Sequence, residues 1–460
     1  MIETETALRI SGFRGTLFDR DHPGYDEARR IYNGMFDRRP LVVARCISAD
    51  DVVAALAYAR REALPVSVYG GGHAVTGLAV CDDGVCIDLR GMKGISIDAA
   101  AQTCRAEAGL NWGEFDRATA AHGLAVTGGR AVTTGISGLA LGSGSGWLER
   151  KIGFTCDNLI KAEIVTADGR KVMASETENP DLFWGVRGGG GNFGVVTAFH
   201  FRLIRLPARL LGGMLVYPAE MAREVIRNFR EVLPGAPDEI GSAISLTSAP
   251  DAPIFPEAVR GKAVVLVHLL YAGEYAAGEA ATATIRAFGP PLADMVGPTS
   301  YVEHQGTTPL APGYRNYWTA DFYDSLPDEA VDILAAAAQD PISPSTNIFI
   351  APGGGYASRI AEDATAFGER RAPFNIHYLA SWPDAAFDAE GTRRIKAVSA
   401  AMKPWSTGRV YLNYIGNEGQ ARIDNAFGPA KMARLRALKA KWDPDNFFRN
   451  NQNISPAAQG

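Results

Sequence analysis

Three consecutive glycines, Gly70, Gly71 and Gly72, stand directly before a histidine, His73. Because glycine has no side chain, the backbone N–H groups of such a run can approach a bound anion closely. The imidazole of His73 adds a nucleophile at the end of the run. The pattern predicts a turn that holds an anionic cofactor beside His73, and it raises the hypothesis of a covalent bond between them. A histidine that is simply hydrogen-bonded within a loop is the alternative.

Two further glycine-rich segments, residues 127–153 and 184–203, follow along the chain. A large anionic cofactor accounts for all three segments, whereas a packing histidine accounts for none of them. Gly142, Gly144 and Gly146 invite comparison with a Rossmann site, which needs G-x-G-x-x-G between a strand and a helix and an acidic residue about 20 positions later. The spacing here is G-x-G-x-G, and it disfavours a Rossmann site.

Runs of β-branched residues at 66–68 and 85–89 flank the first glycine segment and predict strands on both sides of it. Upstream, residues 40–66 are typical of a strand, a helix and a strand, with acidic side chains at the start of the helix. Residues 112–122 favour another helix. An Asp-Gly turn within residues 164–173 predicts a hairpin.

The character of the chain changes after Pro207, where alternating strand patterns and amphipathic helices replace the glycine-rich loops. A basic helix near the end of the chain is predicted to stop at Asp443-Pro444, and an asparagine-rich loop follows it. A chain of 460 residues is too long for a single hydrophobic core, so we expect two domains.

Composition excludes several classes of protein. Hydrophobic residues make up 47% of the chain and charged residues 21%, which is typical of a globular protein, and the fifty glycines favour an enzyme that binds a ligand in its loops. The net charge is −5 and no basic block is interleaved with aromatic residues, so nucleic acid is not an expected partner. No apolar run reaches the roughly 20 residues that a membrane helix needs, and the N-terminal stretch lacks the apolar region of a signal peptide. The five cysteines are scattered and odd in number, which favours free thiols, no metal site and a cytoplasmic location.

Four segments together carry a family resemblance. The chain resembles the FAD-linked oxidase superfamily of the vanillyl-alcohol-oxidase type, and within it the berberine-bridge-enzyme-like and 6-hydroxynicotine-oxidase-like bacterial flavoproteins. The segments are GGGHAVTGL, TTGISGLALGSGSGWLERKIGFTCDNL, NPDLFWGVRGGGGNFGVVT, and VYLNY with KAKWDPDNFFRNNQNI. The resemblance implies an α+β, two-domain PCMH-type FAD-binding fold, with an antiparallel-sheet substrate domain covered by helices. Residues 1–207 would bind FAD, residues 208–410 the substrate, and residues 411–460 would return to the FAD domain.

The resemblance also implies the cofactor and its attachment. His73 matches the histidine that bonds to the 8α-methyl group of the flavin. Many relatives add a second bond through a cysteine, but Ala131 occupies that position here, so one covalent bond is predicted. Cys156 is interpreted as a buried structural thiol. The implied cofactor-binding residues are Gly70, Gly71, Gly72, His73, Ala74, Thr133, Thr134, Gly135, Ser137, Gly138, Gly142, Asp157, Asn158 and Asn413.

Relatives of this kind remove a hydride from a C–H bond next to oxygen or nitrogen in a small organic molecule. The resemblance points to Tyr414 or Tyr411 as the base, with Asn413 between them. An ordinary phenol, with a pKa of about 10, needs a lowered pKa for this role. We expect the segment to be a strand that places Tyr411 and Asn413 on one face and Tyr414 on the other. Two half-buried structural tyrosines are the alternative.

Asn375 and His377 alternate along another predicted strand and project to one face. Relatives place substrate-contacting or basic residues on this strand, so the resemblance implies that both contact the substrate. A hydrogen-bonded histidine that faces solvent is the alternative for His377.

In relatives, a valine-sized residue just before the Gly135 turn lets oxygen reach the flavin and a leucine hinders it. Thr134 has the shape of valine, so the hypothesis is an oxidase that produces H2O2. A dehydrogenase of the same fold, a nicotinamide-dependent reductase and a non-catalytic flavin-binding protein are the alternatives.

Overall fold

The N-terminal part of the chain builds three sheets, of four, five and two strands, and the loops that connect their strands carry the glycine segments. The structure of the whole chain is a computed structural model that describes residues 8–307 and 313–458. The strands of the N-terminal part are β1 (Thr16–Asp19), β2 (Val42–Arg45), β3 (Val66–Tyr69), β4 (Val85–Asp88), β5 (Ile95–Asp98), β6 (Thr103–Glu107), β7 (Leu124–Ala125), β8 (Leu159–Val165), β9 (Lys171–Ser175), β10 (Val195–Arg202) and β11 (Ile204–Arg205). Its helices are α1 (Tyr25–Arg29), α2 (Ala49–Arg61), α3 (Trp112–Ala120), α4 (Ile136–Leu141), α5 (Glu149–Ile152) and α6 (Pro180–Val186).

The first sheet has the order β1-β2-β4-β3, and β4 is parallel to both of its neighbours. The predicted strand, helix and strand over residues 40–66 are therefore confirmed as β2, α2 and β3, with β4 inserted between the two strands. The Ser48 side chain accepts a hydrogen bond from Asp51 N–H and caps α2. The first glycine segment begins the loop that leads from β3 to β4.

The second sheet is antiparallel, in the order β5-β6-β10-β8-β9. The predicted hairpin is confirmed, because β8 pairs with β9 from Val165 opposite Lys171 around the Asp-Gly turn. The third glycine segment ends where β10 begins. This sheet and the first share one hydrophobic core.

A larger antiparallel sheet follows, with the order β15-β12-β14-β13-β18-β19-β17 and β16 beside β12. Its strands are β12 (Leu210–Pro218), β13 (Ile240–Ser248), β14 (Ala263–Tyr271), β15 (Ala293–Asp294), β16 (Gly297–Thr299), β17 (Arg315–Tyr323), β18 (Asn347–Pro352) and β19 (Phe374–Trp382). The helices of this part are α7 (Ala222–Val232), α8 (Tyr275–Arg286), α9 (Tyr301–Gln305), α10 (Asp328–Gln339), α11 (Gly355–Arg359) and α12 (Asp388–Met402).

Strand alternation divides the large sheet into two different faces. Side chains such as Ile244, Val267 and Ile376 pack with residues of α7, α10 and α12 in a second core. The opposite face carries His268 and His377, and both side chains line the cavity described below. The predicted α+β fold, with an antiparallel sheet covered by helices, is confirmed.

The segment that carries Tyr411 and Tyr414 is not a strand, so that prediction was wrong. Leu412–Tyr414 forms one turn of 3₁₀-helix, in which Tyr414 N–H donates to the Tyr411 carbonyl at 3.0 Å. Among the described residues no strand pairs with this segment, so local turn bonds replace a ladder. The turn brings both phenol rings together, with centroids 5.4 Å apart, instead of placing them on opposite faces.

The chain then forms α13 (Gln420–Trp442), which bends at Gly428 and ends where the basic helix was predicted to stop. Buried Lys439 donates to Asp443 and to the carbonyls of Asn192 and Phe448, which fixes the last residues against the N-terminal part. Within residues 8–307 and 313–458, no helix is both long and apolar enough to cross a membrane. All five cysteines are buried free thiols. Residues 1–7 of the stretch searched for a signal peptide lie outside the described residues.

Candidate functional site

A cavity of about 790 Å³ lies between the N-terminal part and the open face of the large sheet. All three glycine segments line it, through residues 70–72, six of the residues between 135 and 142, and residues 188–191. Residues of the large sheet and of the asparagine-rich C-terminal loop line it as well. A cavity of this size takes a large ligand.

The glycines are required by the close packing of the loops around the cavity. Gly71 packs directly on Gly135, and a Cβ on either one would overlap the backbone of the other. A Cβ on Gly142 would overlap the side-chain amide of Asn413, whose Nδ2 donates to the Leu139 carbonyl at 3.2 Å. Gly138 is different, because nothing lies within 4 Å of a Cβ built on it.

His73 lines the cavity beside the first glycine segment. Its ring stacks on Tyr32 with centroids 4.7 Å apart, and its Nδ1 is 3.4 Å from Thr134 Oγ1. Burial lowers the pKa of the imidazole to about 4, so the ring is neutral at neutral pH. A neutral imidazole has a lone pair on one nitrogen, which is what a nucleophile requires.

The two tyrosines have different surroundings. Tyr414 lines the cavity. Burial raises the pKa of its phenol, which is opposite to the lowered pKa expected for a base, and the positive charge of Arg130 only partly opposes the increase. Tyr411 does not line the cavity. Its hydroxyl accepts hydrogen bonds from Ser145 N–H at 2.9 Å and Ser143 Oγ at 3.2 Å, and burial raises its pKa too.

His377 projects into the cavity from β19 and is fully buried. It lies between Phe349 and Tyr414, with ring centroids 5.5 and 4.0 Å away. Burial lowers the pKa of this imidazole well below its ordinary value, and Arg130 adds to the effect. The ring is therefore a neutral group with one donor and one acceptor nitrogen.

Several predicted site residues lie outside the cavity wall. The Asp157 carboxylate pairs with buried Arg370 at 2.6 Å and accepts from Phe154 N–H, which makes it a structural group of its loop. Asn158 donates to two backbone carbonyls of the same loop. Thr133 is exposed, and Asn375 lines a separate small cavity next to Glu149.

The predicted residues that do line the large cavity are Gly70, Gly71, Gly72, His73, Ala74, Thr134, Gly135, Ser137, Gly138, Gly142, Asn413, Tyr414 and His377. Ala131 also lines it, at the place where the second attachment would need a cysteine. Cys156, by contrast, is fully buried away from it, and burial raises the pKa of its thiol.

Two buried polar groups and the C-terminal asparagine-rich loop belong to the cavity wall but were not among the predicted site residues, although the loop itself was predicted. Arg130 stands next to Ala131, and His268 lies on β14; both line the cavity. Asn450, Asn451 and Gln452 line it too. The run of asparagines was a visible signal for the loop, but no local pattern marks Arg130 or His268.

Known proteins match this chain over nearly its whole length. The family described as FAD binding domain matches residues 40–175, and the family described as berberine and berberine like matches residues 410–455. (R)-6-hydroxynicotine oxidase of Paenarthrobacter nicotinovorans is 30% identical over 461 residues, which cover 96% of this chain and 97% of that protein. The uncharacterized FAD-linked oxidoreductase YvdP of Bacillus subtilis (strain 168) is 29% identical over 447 residues, covering 96% and 98%.

The fold matches as well. The crystal structure of 6-hydroxy-D-nicotine oxidase from Arthrobacter nicotinovorans superposes with a TM-score of 0.87 at 28% identity, and the match covers 98% of this chain and 100% of that one. The two halves of the cavity, the glycine loops and the large sheet, therefore lie within a fold that is shared over the complete length of that protein.

Proposed function

This chain belongs to the berberine-bridge-like FAD-linked oxidoreductases, and from that premise we propose that it is an oxidase of small organic molecules with O2 as the electron acceptor. Its oxidoreductase activity depends on FAD. One observation carries the proposal: the three glycine segments, Tyr414 and one face of the large sheet all line the same cavity.

The cavity fits FAD on its own geometry. Gly138 and Gly191 line the cavity, and nothing lies within 4 Å of a Cβ built on either of them, which suits a cofactor in contact with backbone. When bound, FAD accepts a hydride at N5 and passes two electrons to an acceptor. We propose that the glycine loops bind its phosphates through backbone groups, because Arg130 is the only Lys or Arg among the described residues that line the cavity.

We propose one covalent bond between His73 and the 8α-carbon of the flavin. Support comes from the place of His73 in the cavity, its neutral imidazole, and Ala131 where a second attachment would need a cysteine. The bond replaces one hydrogen of the flavin methyl group and the proton of the imidazole. Its formation is therefore a two-electron oxidation, for which O2 is the proposed oxidant.

We propose Tyr414 as the base that takes a proton from a substrate O–H or N–H. It faces the cavity, whereas the Tyr411 hydroxyl is occupied by Ser143 and Ser145. Asn413 and Tyr411 act as positioning residues, since Asn413 Nδ2 donates both to Leu139 O and to the Tyr411 hydroxyl. His377 holds the substrate from β19 as a neutral hydrogen-bonding group.

Domain organisation and location are proposals as well. The sheets β1–β11 end at Arg205, and the large sheet spans Leu210–Trp382, which supports an FAD domain at 1–207, a substrate domain at 208–410 and a returning segment at 411–460. Five buried free cysteines favour a cytoplasmic location. From the similarity to (R)-6-hydroxynicotine oxidase we propose only that the electron donor of this chain is a small organic molecule, and not that the two proteins share a substrate.

The test is anaerobic mixing of the purified holoprotein with a panel of alcohols, amines, sugars and phenols. One class of donor should bleach the flavin absorbance, and admitting air should restore it with one H2O2 formed per donor oxidised. Slow recovery in air with fast recovery by an artificial acceptor would instead identify a dehydrogenase. A bound flavin that no donor reduces would contradict the enzymatic proposal.

A further inference from the structure

Arg130 is a buried cation at the point where the glycine loops meet the large sheet. Only 7% of its surface is exposed. The guanidinium lies between the rings of Trp147 and Phe349, with Cζ 4.8 and 5.1 Å from their centroids. Its Nη1 donates to Ser145 Oγ at 2.9 Å, and its Nη2 is 3.6 Å from Glu149 Oε1.

The remaining guanidinium nitrogen, Arg130 Nε, has no hydrogen-bond partner among the described residues. Glu149 pairs with Nη2 of Arg130 rather than with Nε, and its Oε2 accepts from Gly146 N–H. A buried charged donor without an acceptor is costly. Because Arg130 lines the cavity, an acceptor on a bound molecule would satisfy it.

Two imidazoles near Arg130 are also incompletely hydrogen-bonded. His268 lies on the neighbouring strand β14, where its Nε2 is 2.9 Å from Ser245 Oγ and its Nδ1 has no partner among the described residues. Neither ring nitrogen of His377 has one. Asp251, which is exposed, is the only acidic side chain among the described residues that line the cavity, and Glu149 is the only carboxylate of all the described residues that forms an ion pair with Arg130.

Aromatic rings surround the same part of the cavity. Phe349, His377, Tyr414 and Trp318 all line it, and successive rings in this order are roughly parallel, with interplanar angles of 21°, 19° and 30°. Such a lining suits a planar apolar ligand and offers few of the paired donors and acceptors that a sugar requires.

We propose that Arg130 binds a negatively charged oxygen of the substrate, and that the substrate is an aromatic or conjugated molecule with a carboxylate or an ionised phenol. Arg130 Nε donates to that oxygen, and His268 contacts the same end of the molecule. This inference rests on the proposed function, because it assigns the substrate class of the same cavity.

The experiment measures binding to the oxidised holoprotein by calorimetry at millimolar ligand concentration. Benzoate is compared with benzyl alcohol, and 4-cyanophenolate with its neutral methyl ether. Each anion should bind about tenfold more tightly than its neutral counterpart. The tighter of the two anions distinguishes a carboxylate substrate from a phenolic one.

Arg130→Met should abolish the preference for the anions, and Arg130→Lys should retain part of it, because lysine keeps the charge but not the Nε donor. Arg209→Met is the control, since Arg209 is exposed and lies over Tyr275 away from the cavity. Thermal unfolding and flavin absorbance are recorded for each variant to detect misfolding. If Arg130→Met does not fold, a reduced preference for the anions in Arg130→Lys tests the proposal.

Equal binding of anions and neutral analogues by the wild type, or no binding of any of them, would overturn the inference. So would an Arg130→Met variant that keeps the preference. If its flavin spectrum also changed, Arg130 would serve the cofactor instead of the substrate. Failure of the proposed function has a different signature, namely a protein that purifies without FAD or whose flavin no donor reduces.

Discussion

The imidazole of His377 lies parallel to the phenol ring of Tyr414, with centroids 4.0 Å apart and 19° between the planes. The contact joins β19 of the large sheet to the 3₁₀-turn that precedes α13. Because His377 is fully buried and neutral, it restrains the Tyr414 ring without adding charge. The proposed base is therefore fixed from the substrate side of the cavity.

Replacement of Tyr414 by phenylalanine should slow anaerobic flavin reduction by at least about 100-fold, because the proton acceptor is removed. Burial raises the pKa of this phenol, so the wild-type phenol is protonated at neutral pH and the rate of reduction should increase with pH. Tyr414→Phe should lose that increase. Rapid mixing with a donor identified in the anaerobic screen measures both effects.

Tyr411→Phe is the matched control for this prediction. The substitution removes the acceptor for Ser145 N–H and should cost about 1 kcal/mol of unfolding free energy, while most of the reduction rate remains. If Tyr411→Phe lost the rate and Tyr414→Phe kept it, the assignment of the base would be reversed.

Local sequence patterns predicted the parts of the site that local physics determines. A run of glycines indicates a turn, and an alternating pattern indicates a strand, whatever distant residues pack against them. The loop at residues 70–72 and the strand that carries His377 were therefore predicted at the correct positions. The error at residues 411–414 arose because the choice between strand and turn depends on whether a neighbouring strand is available. Arg130 shows no local pattern, since its importance comes from Trp147 and Phe349, which are distant in sequence.

His73→Ala should abolish covalent attachment of the flavin. Wild-type protein should stay yellow and fluorescent after acid precipitation or on a denaturing gel, whereas the variant should release all of its FAD. His122→Ala and Cys156→Ala should both behave as the wild type, because His122 is exposed and Cys156 is buried away from the cavity. Loss of the attached flavin in Cys156→Ala would refute the assignment to His73.

Gly138→Ala separates cofactor contact from folding. Nothing lies within 4 Å of a Cβ at this position of α4, so the apoprotein should be as stable as the wild type or about 0.5 kcal/mol more stable. Because Gly138 lines the cavity, the methyl group should weaken FAD binding by about tenfold. Fluorescence titration of the apoprotein, prepared on the His73→Ala background, measures the affinity.

Gly235→Ala serves as its control, since that glycine also has open space around it but lies outside the cavity wall. Unchanged FAD affinity in Gly138→Ala would show that the cofactor does not approach the start of α4.

Thr134→Leu tests the route of oxygen. Thr134 lines the cavity with Oγ1 3.4 Å from His73 Nδ1, and a larger side chain there should slow reoxidation of the reduced flavin by O2 about tenfold or more. Thr134→Val keeps the shape and should keep the rate. Mixing the photoreduced protein with air-saturated buffer measures it. Equal rates in all three proteins would remove Thr134 from the oxygen route.

Asp116 makes the stability of the fold depend on pH. Burial raises the pKa of its carboxyl from 3.8 to about 7, and among the described residues its carboxyl oxygens accept one hydrogen bond, from Gln305 Nε2 at 3.1 Å. The folded protein therefore keeps a proton that the unfolded chain has already released, so this group's contribution falls as the pH rises from about 4 to about 7 and stays low above that.

Asp116→Asn should remove this loss, because the amide stays neutral and supplies N–H donors beside Gln305 Oε1, which has no partner among the described residues. Relative to the wild type, the variant should gain on the order of 3 kcal/mol in unfolding free energy between pH 5 and pH 8. Urea unfolding at several pH values measures the unfolding free energy of the variant minus that of the wild type. The titration of the buried histidines cancels in this difference, because both proteins contain them. Exposed Asp324→Asn should show no such gain. A difference that is the same at pH 5 and pH 8 would mean that Asp116 is ionised in the folded protein throughout this range.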